Sequence, residues 1–191
     1  MTRHRFSFND PERARWQNPE SILSELGLHS GCTFIDVGCG EGFFALPACE
    51  LVGPKGKVYA VDIDGESIAA LSKEAERRKL THLTARIATA ERTVFCDSCA
   101  DMVFYGIVLH DFSNPLLVLE NARRMIKPDG CVVDLDWKKE PMEFGPPVPK
   151  RFSENQASEL LESTGFRVTT VEESDPYHYM LIAKLAAHRK T

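Results

Sequence analysis

Two acidic residues, each near the end of a short apolar run, offer the clearest chemistry in this chain. Asp36 belongs to the run Cys32–Val37, and Asp62 belongs to the run Lys57–Ile63. Short apolar runs bounded by glycine are typical of buried strands. Glycines let a chain bend sharply and let a ligand approach the main chain closely. Three alternate glycines follow the first run, and the pattern predicts a nucleotide-type pocket: Gly38, Gly40 and Gly42.

The glycine spacing bears on which cofactor this pocket takes. A dinucleotide fingerprint places its third glycine at position 43, where this chain has Phe43. S-adenosylmethionine instead brings an amino acid, a sulfonium, a ribose and an adenine. Asp36 would meet the ammonium, directly or through water, and Asp62 would hold the ribose hydroxyls. We therefore favour S-adenosylmethionine, while a dinucleotide-dependent oxidoreductase remains an alternative.

The ordered set of motifs resembles a known family. Asp36-x-Gly38-x-Gly40-x-Gly42, followed by Val58–Asp62, resembles motifs I and II of the class I S-adenosylmethionine-dependent methyltransferases. The resemblance spans Cys32 to Leu185 and is closest to small relatives of the quinone-biosynthesis C-methyltransferases. Later segments that resemble family motifs are Thr89-Ala90-Glu91, Ala100–Tyr105, Leu109-His110 and Ile126–Gly130.

The resemblance implies S-adenosylmethionine as cofactor, with S-adenosylhomocysteine as product. Many family members carry an aspartate near the adenine where this chain has Thr89. We therefore expect the adenine to meet a backbone carbonyl or Glu91. The full set of expected cofactor-binding residues is Asp36, Gly38, Cys39, Gly40, Gly42, Asp62, Ile63, Thr89, Ala90, Glu91, Tyr105 and Gly106.

The sequence pattern predicts strands and helices that alternate along most of the chain and a β-hairpin in its C-terminal part. Alternation predicts an α/β fold with a three-layer, doubly wound, Rossmann-like parallel sheet. The resemblance implies seven strands in the order 3-2-1-4-5-7-6, one antiparallel near the C-terminus. With 191 residues we expect one methyltransferase domain, 1–191. Residues 1–30 would form an arm and helix over the cofactor, and 31–187 the core.

Several boundaries follow from local signals. Pro47 predicts a kink or a late start in the helix after the glycine turn. Gly130–Asp136 is predicted as the fifth strand. Further helices are expected over Pro19–Leu26, Ser67–Leu80, Leu116–Met125 and from a capping box at Ser153 to Gly165, and further strands over Leu83–Ile87, Phe166–Glu172 and Tyr177–Leu185.

Polar residues that leave the fourth and fifth strands are candidates for the acceptor side. Ligands of such sheets bind beyond the carboxyl ends of the strands, so we expect Asp36, Asp62, Tyr105 and Asp136 at the mouth of one crevice. His110 is either a general base or a locally packed histidine. Trp137 either forms a wall of the acceptor pocket or packs in a loop. The expected residues are His110 and Asp136 for catalysis, and His110, Asp111 and Trp137 for substrate binding.

Composition and charge limit the classes of molecule that this protein is expected to bind. The net charge is -5 and the pI about 5.7, which argues against a nucleic-acid binder held by a basic face. No apolar stretch reaches the length of a membrane span, and the N-terminus lacks a signal-peptide core, so we expect a cytoplasmic protein without a membrane partner.

Tyr105–Val108 differs from an Asn-Pro-Pro-Tyr motif, which disfavours nucleobase or glutamine amino-methylation. We expect a small-molecule acceptor; a non-catalytic binding module is an alternative.

Six cysteines are present, and we expect them to be reduced. Cys96 and Cys99 form a C-x-x-C pair without the further ligands that a structural zinc site needs, so no metal is expected. We interpret them as two loop cysteines. The alternative is a metalloid (arsenite-type) methyltransferase that uses both as thiolate ligands.

Overall fold

The computed structural model of the chain describes residues 13–187. Most of the predicted N-terminal arm, residues 1–12, lies outside the described residues. The chain divides into two compact units, and the boundary falls between Thr93 and Val94. A single functional domain stays a prediction. Among the described helices, none combines the length and apolar character needed to cross a membrane.

The described part of the first unit, residues 13–93, contains three parallel strands and four α-helices. Strand β1 (Thr33–Val37) pairs with β2 (Lys57–Asp62), and β2 pairs with β3 (Leu83–Ile87). Residue 36 lies opposite Ala60 in the first pair, near the carboxyl end. The helices are α1 (Arg13–Trp16), α2 (Pro19–Glu25), α3 (Ala45–Val52) and α4 (Gly65–Arg77).

The late start of α3 is confirmed. The helix begins at Ala45, which places Pro47 in its first turn, where a missing N–H costs no intrahelical hydrogen bond. Residues 38–44 form turns before it. Gly42 has a φ of 93°, and a Cβ there would lie 2.4 Å from Cδ1 of Leu71. This glycine is therefore required both for backbone conformation and for packing under the turn.

Between Val94 and residue 187, the second unit contains four strands and two α-helices. Strands β4 (Ala100–Gly106) and β5 (Ile126–Trp137) are parallel, and β5 and β6 (Phe166–Glu173) each pair antiparallel with β7 (His178–Leu185). The α-helices are α5 (Pro115–Met125) and α6 (Glu154–Ser163), with short 3-10 turns at Leu109–Asp111 and Val148–Lys150.

The predicted strand order is confirmed as β3-β2-β1-β4-β5-β7-β6. The predicted start of the fifth strand at Gly130 is wrong, because β5 already begins at Ile126. Ile126 pairs with Ala100 and Cys131 pairs with Met102, so residues 127–130 form an irregularity within the pairing. A Cβ on Gly130 would lie 2.8 Å from the Ala100 carbonyl oxygen, which explains why glycine ends this irregularity.

Helix caps agree with the sequence signals. Asn18 caps α2 by accepting from the Ser21 N–H, and Asn114 caps α5 by accepting from Leu117. Ser153 and Gln156 form the predicted capping box at the start of α6. Capping satisfies N–H groups that have no intrahelical partner, so these helices begin where their cap residues stand.

The expectation that all six cysteines are reduced is wrong for one pair, because Cys96 and Cys99 are joined by a disulfide. Their Cα atoms are 6.0 Å apart, within the range of a bridge. Ser98 between them has a φ of 48°, and its N–H donates to the Arg124 carbonyl at the end of α5. This tight turn brings the two sulfur atoms together.

Candidate functional site

In the first unit, Asp36 is a buried carboxylate with an unsatisfied oxygen. Only 2% of the residue is exposed, and the Ala45 N–H at the start of α3 donates to its carboxylate. Within residues 13–187, no group donates a hydrogen bond to Oδ2. Burial raises the pKa of Asp36 to about 7, against the lowering effect of Arg13 and with a further raising effect of Asp62. A buried acceptor in this state suits a ligand that brings a cationic donor.

The Asp62 carboxylate ties the glycine turn to the end of β2. Its Oδ2 accepts from the Gly40 N–H at 2.8 Å, and its Oδ1 accepts from the Asp64 N–H at 2.9 Å. Asp64 in turn caps α4 by accepting from the Glu66 N–H. Each carboxylate oxygen can accept a second hydrogen bond, so hydroxyl groups of a ligand can still bind Asp62.

The glycine turn has the backbone that the sequence predicts. Gly38 and Gly40 have φ angles of 77° and 52°, in the left-handed region that glycine adopts without strain. The N–H groups of Gly38 and Cys39 both donate to the Val61 carbonyl. A Cβ on Gly40 would meet nothing within 4 Å, so the space over this residue is open. Burial raises the pKa of the Cys39 thiol well above its ordinary value, which leaves it an unreactive packing group.

Phe43 occupies the position of the third glycine in a dinucleotide fingerprint. Its ring is buried and lies edge-on to Phe44, with a centroid distance of 5.3 Å. The Arg13 guanidinium lies 4.1 Å from the Phe43 centroid. Because a packed aromatic ring replaces the glycine that permits close helix–strand contact, the turn does not fit a dinucleotide site.

Apolar side chains are exposed at the carboxyl ends of β2 and β3. Ile63 and Ile87 are 53% and 61% exposed. Thr89 begins the 3-10 turn Ala90–Arg92 that contains Ala90 and Glu91, and the Thr93 hydroxyl donates to the Thr89 carbonyl. Exposed isoleucines beside a structured turn suit a flat apolar ring such as adenine. The assignment of Ile63, Thr89, Ala90 and Glu91 to the cofactor stays a prediction.

In the second unit, His110 and Asp136 form a buried pair. His110 Nδ1 lies 2.7 Å from Oδ1 and 2.8 Å from Oδ2 of Asp136. The Trp137 N–H also donates to Asp136 Oδ1, which fixes the carboxylate. The arrangement favours the tautomer with the proton on Nδ1, and this leaves Nε2 as the basic atom. The structure thus brings His110 and Asp136 together, and their roles in catalysis stay predictions.

Asp111 lies on the other side of the imidazole. Its Oδ1 is 3.3 Å from His110 Nε2 and forms an ion pair with Lys150 Nζ. The sequence did not point to Lys150, because it lies thirty-nine positions after Asp111, in the 3-10 turn that follows a proline-rich loop. The lysine places a positive charge beside the acid that faces the basic nitrogen.

Backbone strain lies just before His110. Ile107 has a φ of 62°, a conformation that β-branched residues rarely adopt. Its N–H donates to the Leu135 carbonyl at 2.7 Å, which holds the strained residue at the end of β4. The chain then enters the 3-10 turn Leu109–Asp111, and the His110 N–H donates to Asp136 at 3.3 Å. Strain of this kind concentrates at functional sites.

Trp137 is packed, and its neighbours hold the loop that follows β5. The indole centroid lies 4.1 Å from the His178 ring and 6.0 Å from the Phe144 ring. The buried Arg151 guanidinium, 5.6 Å from the indole, donates to four backbone carbonyls, those of Lys138, Glu140, Phe144 and Pro146. Whether Trp137 also borders an acceptor pocket stays a prediction.

A second buried carboxylate, which the sequence did not reveal, lies in β5. Asp134 is fully buried, and the Tyr179 hydroxyl donates to its Oδ2 at 3.4 Å. Burial, and then the neighbouring charge of Asp136, raise the pKa of Asp134 well above its ordinary value. The Tyr105 side chain is also interior, and its hydroxyl donates to the Val118 carbonyl. The assignment of Tyr105 and Gly106 to the cofactor stays a prediction.

Potential metal-ligating side chains are not grouped together in the described part of the chain. Residues 13–187 contain no group of three or more His, Cys, Asp or Glu side chains placed to hold an ion. The disulfide between Cys96 and Cys99 also leaves this pair without thiolate ligands. The arrangement therefore does not favour the metalloid alternative.

Comparison with known proteins adds the family context. A family model described as a methyltransferase domain matches residues 28–180. A demethylmenaquinone methyltransferase of Geobacillus kaustophilus (strain HTA426) is 28% identical over 131 residues, 69% of this chain and 55% of that protein. A protein of the same name from Staphylococcus aureus (strain JH9) is 30% identical over 119 residues, 60% of this chain and 47% of that protein. The chain spans about half the length of the curated relatives it matches.

A solved structure is similar over nearly the whole chain. The crystal structure of a SAM dependent methyltransferase from Aquifex aeolicus has a TM-score of 0.86 and is 34% identical in sequence. The match covers 92% of this chain and 93% of that one. Fold and sequence therefore agree with the motifs around Asp36 and Asp62.

Proposed function

The chain belongs to the class I S-adenosylmethionine-dependent methyltransferase family, and we propose that it methylates a small-molecule acceptor from this cofactor. The observation that carries the proposal is Asp36. Its buried Oδ2 lacks a hydrogen-bond donor within the described residues, and the carboxyl remains partly protonated near neutrality. The ammonium of the cofactor's amino acid moiety would supply the missing donor and the compensating charge.

Residues of the first unit account for cofactor binding. Asp62 would accept hydrogen bonds from ribose hydroxyls with the lone pairs that Gly40 and Asp64 leave free. The open space over Gly40 would let a ligand approach the main chain of the turn. When bound, the cofactor supplies an electrophilic methyl group on a sulfonium sulfur.

Residues of the second unit account for the acceptor. His110 Nε2 would take a proton from the nucleophile, while Asp136 holds the imidazole in the required tautomer and stabilises its protonated form. Asp111 would bind the acceptor beside the base. A general base is useful only where the attacking atom gains acidity during transfer, so we propose an acceptor with an ionisable group such as a phenol or an enol.

The names of the relatives suggest where to begin. They are demethylmenaquinone methyltransferases, which makes reduced naphthoquinones the first acceptor class to test. We further propose that the chain acts as one functional domain in which residues 1–30 cover the cofactor. The cytoplasmic location and the absence of a nucleic-acid partner stay predictions.

Titration calorimetry tests the cofactor. We expect S-adenosylhomocysteine to bind and NAD and NADP not to bind; preference for a dinucleotide would reject the proposal. Transfer of a labelled methyl group is then measured with reduced naphthoquinones, simple phenols and arsenite. Turnover of a hydroxylated aromatic compound supports the proposal, whereas cofactor binding with turnover of arsenite alone would favour the metalloid alternative.

A further inference from the structure

A buried polar pair on the N-terminal side of the first unit has no role in the motifs that define the cofactor pocket. Arg13 and Gln17 face each other across one turn, and Arg13 Nε donates to Gln17 Oε1 at 3.0 Å. Gln17 is fully buried and Arg13 is 7% exposed. Polar side chains of this size are rarely buried unless their polar groups are paired.

One atom of this pair lacks a partner. Because Gln17 Oε1 accepts from Arg13, the amide orientation is determined and Nε2 is the donor that remains. Within residues 13–187, Gln17 Nε2 reaches no acceptor although it is inaccessible to solvent. A buried donor left in this state is destabilising, so the position is one that a ligand would stabilise.

The pair is linked to the glycine turn and to Asp36. The Arg13 guanidinium lies over Phe43 at 4.1 Å and near Phe44 at 5.3 Å, the two residues that follow the turn. Its positive charge also acts on the Asp36 carboxyl and lowers the pKa of that group against the effect of burial. Arg13 and Asp36 thus both contact the segment after Gly42, Arg13 through the Phe43 and Phe44 rings and Asp36 through the Ala45 N–H.

We propose that Arg13 and Gln17 bind the carboxylate of the cofactor's amino acid moiety, next to the ammonium that Asp36 receives. The inference rests on the proposed function. A zwitterionic amino acid carries its two charged groups on one carbon atom. A site that offers one buried acceptor, Asp36, therefore needs donors beside it. The guanidinium of Arg13 and the amide N–H of Gln17 are such donors, and both form strong hydrogen bonds to carboxylates.

The test compares two ligands that differ only in this carboxylate, S-adenosylmethionine and decarboxylated S-adenosylmethionine, by titration calorimetry. We expect the parent chain to prefer the first by about tenfold or more. Gln17→Ala should weaken the affinity for S-adenosylmethionine about tenfold and change the affinity for the decarboxylated ligand less than about twofold. Gln17→Glu should reverse the preference, because the added carboxylate repels the first ligand and attracts the more cationic second one.

Gln156→Ala is the matched control, since the other glutamine of the chain lies in the capping box of α6. It should leave both affinities unchanged. Equal weakening of both ligands by Gln17→Ala, or an unchanged preference in both Gln17 variants, would reject the carboxylate site while the proposed function stands. Failure of the parent chain to bind either ligand would instead reject the proposed function itself.

Discussion

The Asp62 carboxylate accepts a hydrogen bond from the Gly40 N–H at 2.8 Å across twenty-two positions of sequence. The second contact of this carboxylate, to the Asp64 N–H, continues the link into α4. Asp62 thus holds the glycine turn in place in addition to offering lone pairs to a ligand. Replacement of Asp62 therefore affects binding and turn geometry together.

We predict that Asp62→Ala weakens the binding of S-adenosylhomocysteine by about 1–3 kcal/mol and lowers the free energy of unfolding by about 1–2 kcal/mol. Asp62→Asn, which keeps one acceptor oxygen, should show smaller losses in both. Calorimetry and urea denaturation measure the two quantities. Asp129→Ala, a change of an exposed acid in the second unit, is the control. Parent-like affinity in Asp62→Ala would contradict the ribose assignment.

The raised pKa of Asp36 predicts pH-dependent cofactor binding. Below about pH 7 the carboxyl of the unloaded chain keeps its proton and cannot pair with an ammonium. Affinity for S-adenosylhomocysteine should therefore rise with pH, at most about tenfold per unit, and level off above the pKa. Asp36→Asn should bind weakly at every pH. A flat profile in the parent chain would show that ammonium pairing is not the role of Asp36.

Folding of the unloaded chain has the opposite dependence on this carboxyl. Its pKa rises from 3.8 to about 7 on folding, so the folded state keeps a proton that the unfolded state has lost between these values. The Asp36 contribution to the free energy of unfolding therefore falls as the pH rises through this window. Asp36→Asn should be more stable than the parent at pH 8 but not at pH 4, as measured by denaturation without ligand.

The His110–Asp136 pair predicts loss of turnover without loss of cofactor binding. His110→Ala should reduce methyl transfer by about 100- to 10,000-fold, the usual contribution of a positioned base. Asp136→Asn should reduce it less and shift its pH profile, because the imidazole loses its orienting carboxylate. S-adenosylhomocysteine affinity should change by less than about tenfold. The exposed His29→Ala is the control; parent-like turnover in His110→Ala would exclude a base at this position.

Asp134 predicts a separate effect on stability. Its pKa is raised by burial, so the folded state keeps a proton above the pH at which the unfolded state releases it. The Asp134 contribution to stability is therefore fully present at low pH and is lost as the pH rises from about 4 toward the folded pKa. Asp134→Asn should raise the free energy of unfolding at pH 8 by about 1–3 kcal/mol relative to its effect at pH 4. An equal effect at both values would show that this carboxyl ionises normally.

The parts of the fold and site that the sequence revealed are those with local signals. The glycine turn, the late start at Ala45 and the capping box at Ser153 each depend on residues within a few positions of one another. The strand order followed from resemblance. By contrast, the early start of β5 depends on the pairing of Ile126 with Ala100, which no local pattern encodes.

The same distinction applies to side chains. Asp36 and Asp62 lie near the ends of apolar runs, so the sequence predicted their position near strand ends. The Lys150–Asp111 ion pair and the link of Arg13 to Asp36 join distant segments and were not. Asp134 was missed for another reason: it lies within the strand that the sequence predicted, where the apolar pattern gives no reason to expect a buried acid.

The four carbonyl groups that accept hydrogen bonds from Arg151 belong to the main chain of the loop after β5. Every residue type supplies a carbonyl oxygen. The shape of residues 138–146 therefore depends on one guanidinium in addition to local packing, in which the Phe144 ring contacts Trp137 and Tyr177 and Gly145 has a φ of 89°. The hydrogen bonds from Arg151 are kept when other side chains of this segment change, provided that the arginine, the packed Phe144 and Gly145 are kept. The exposed surface of this loop can therefore change its chemistry without a change of fold.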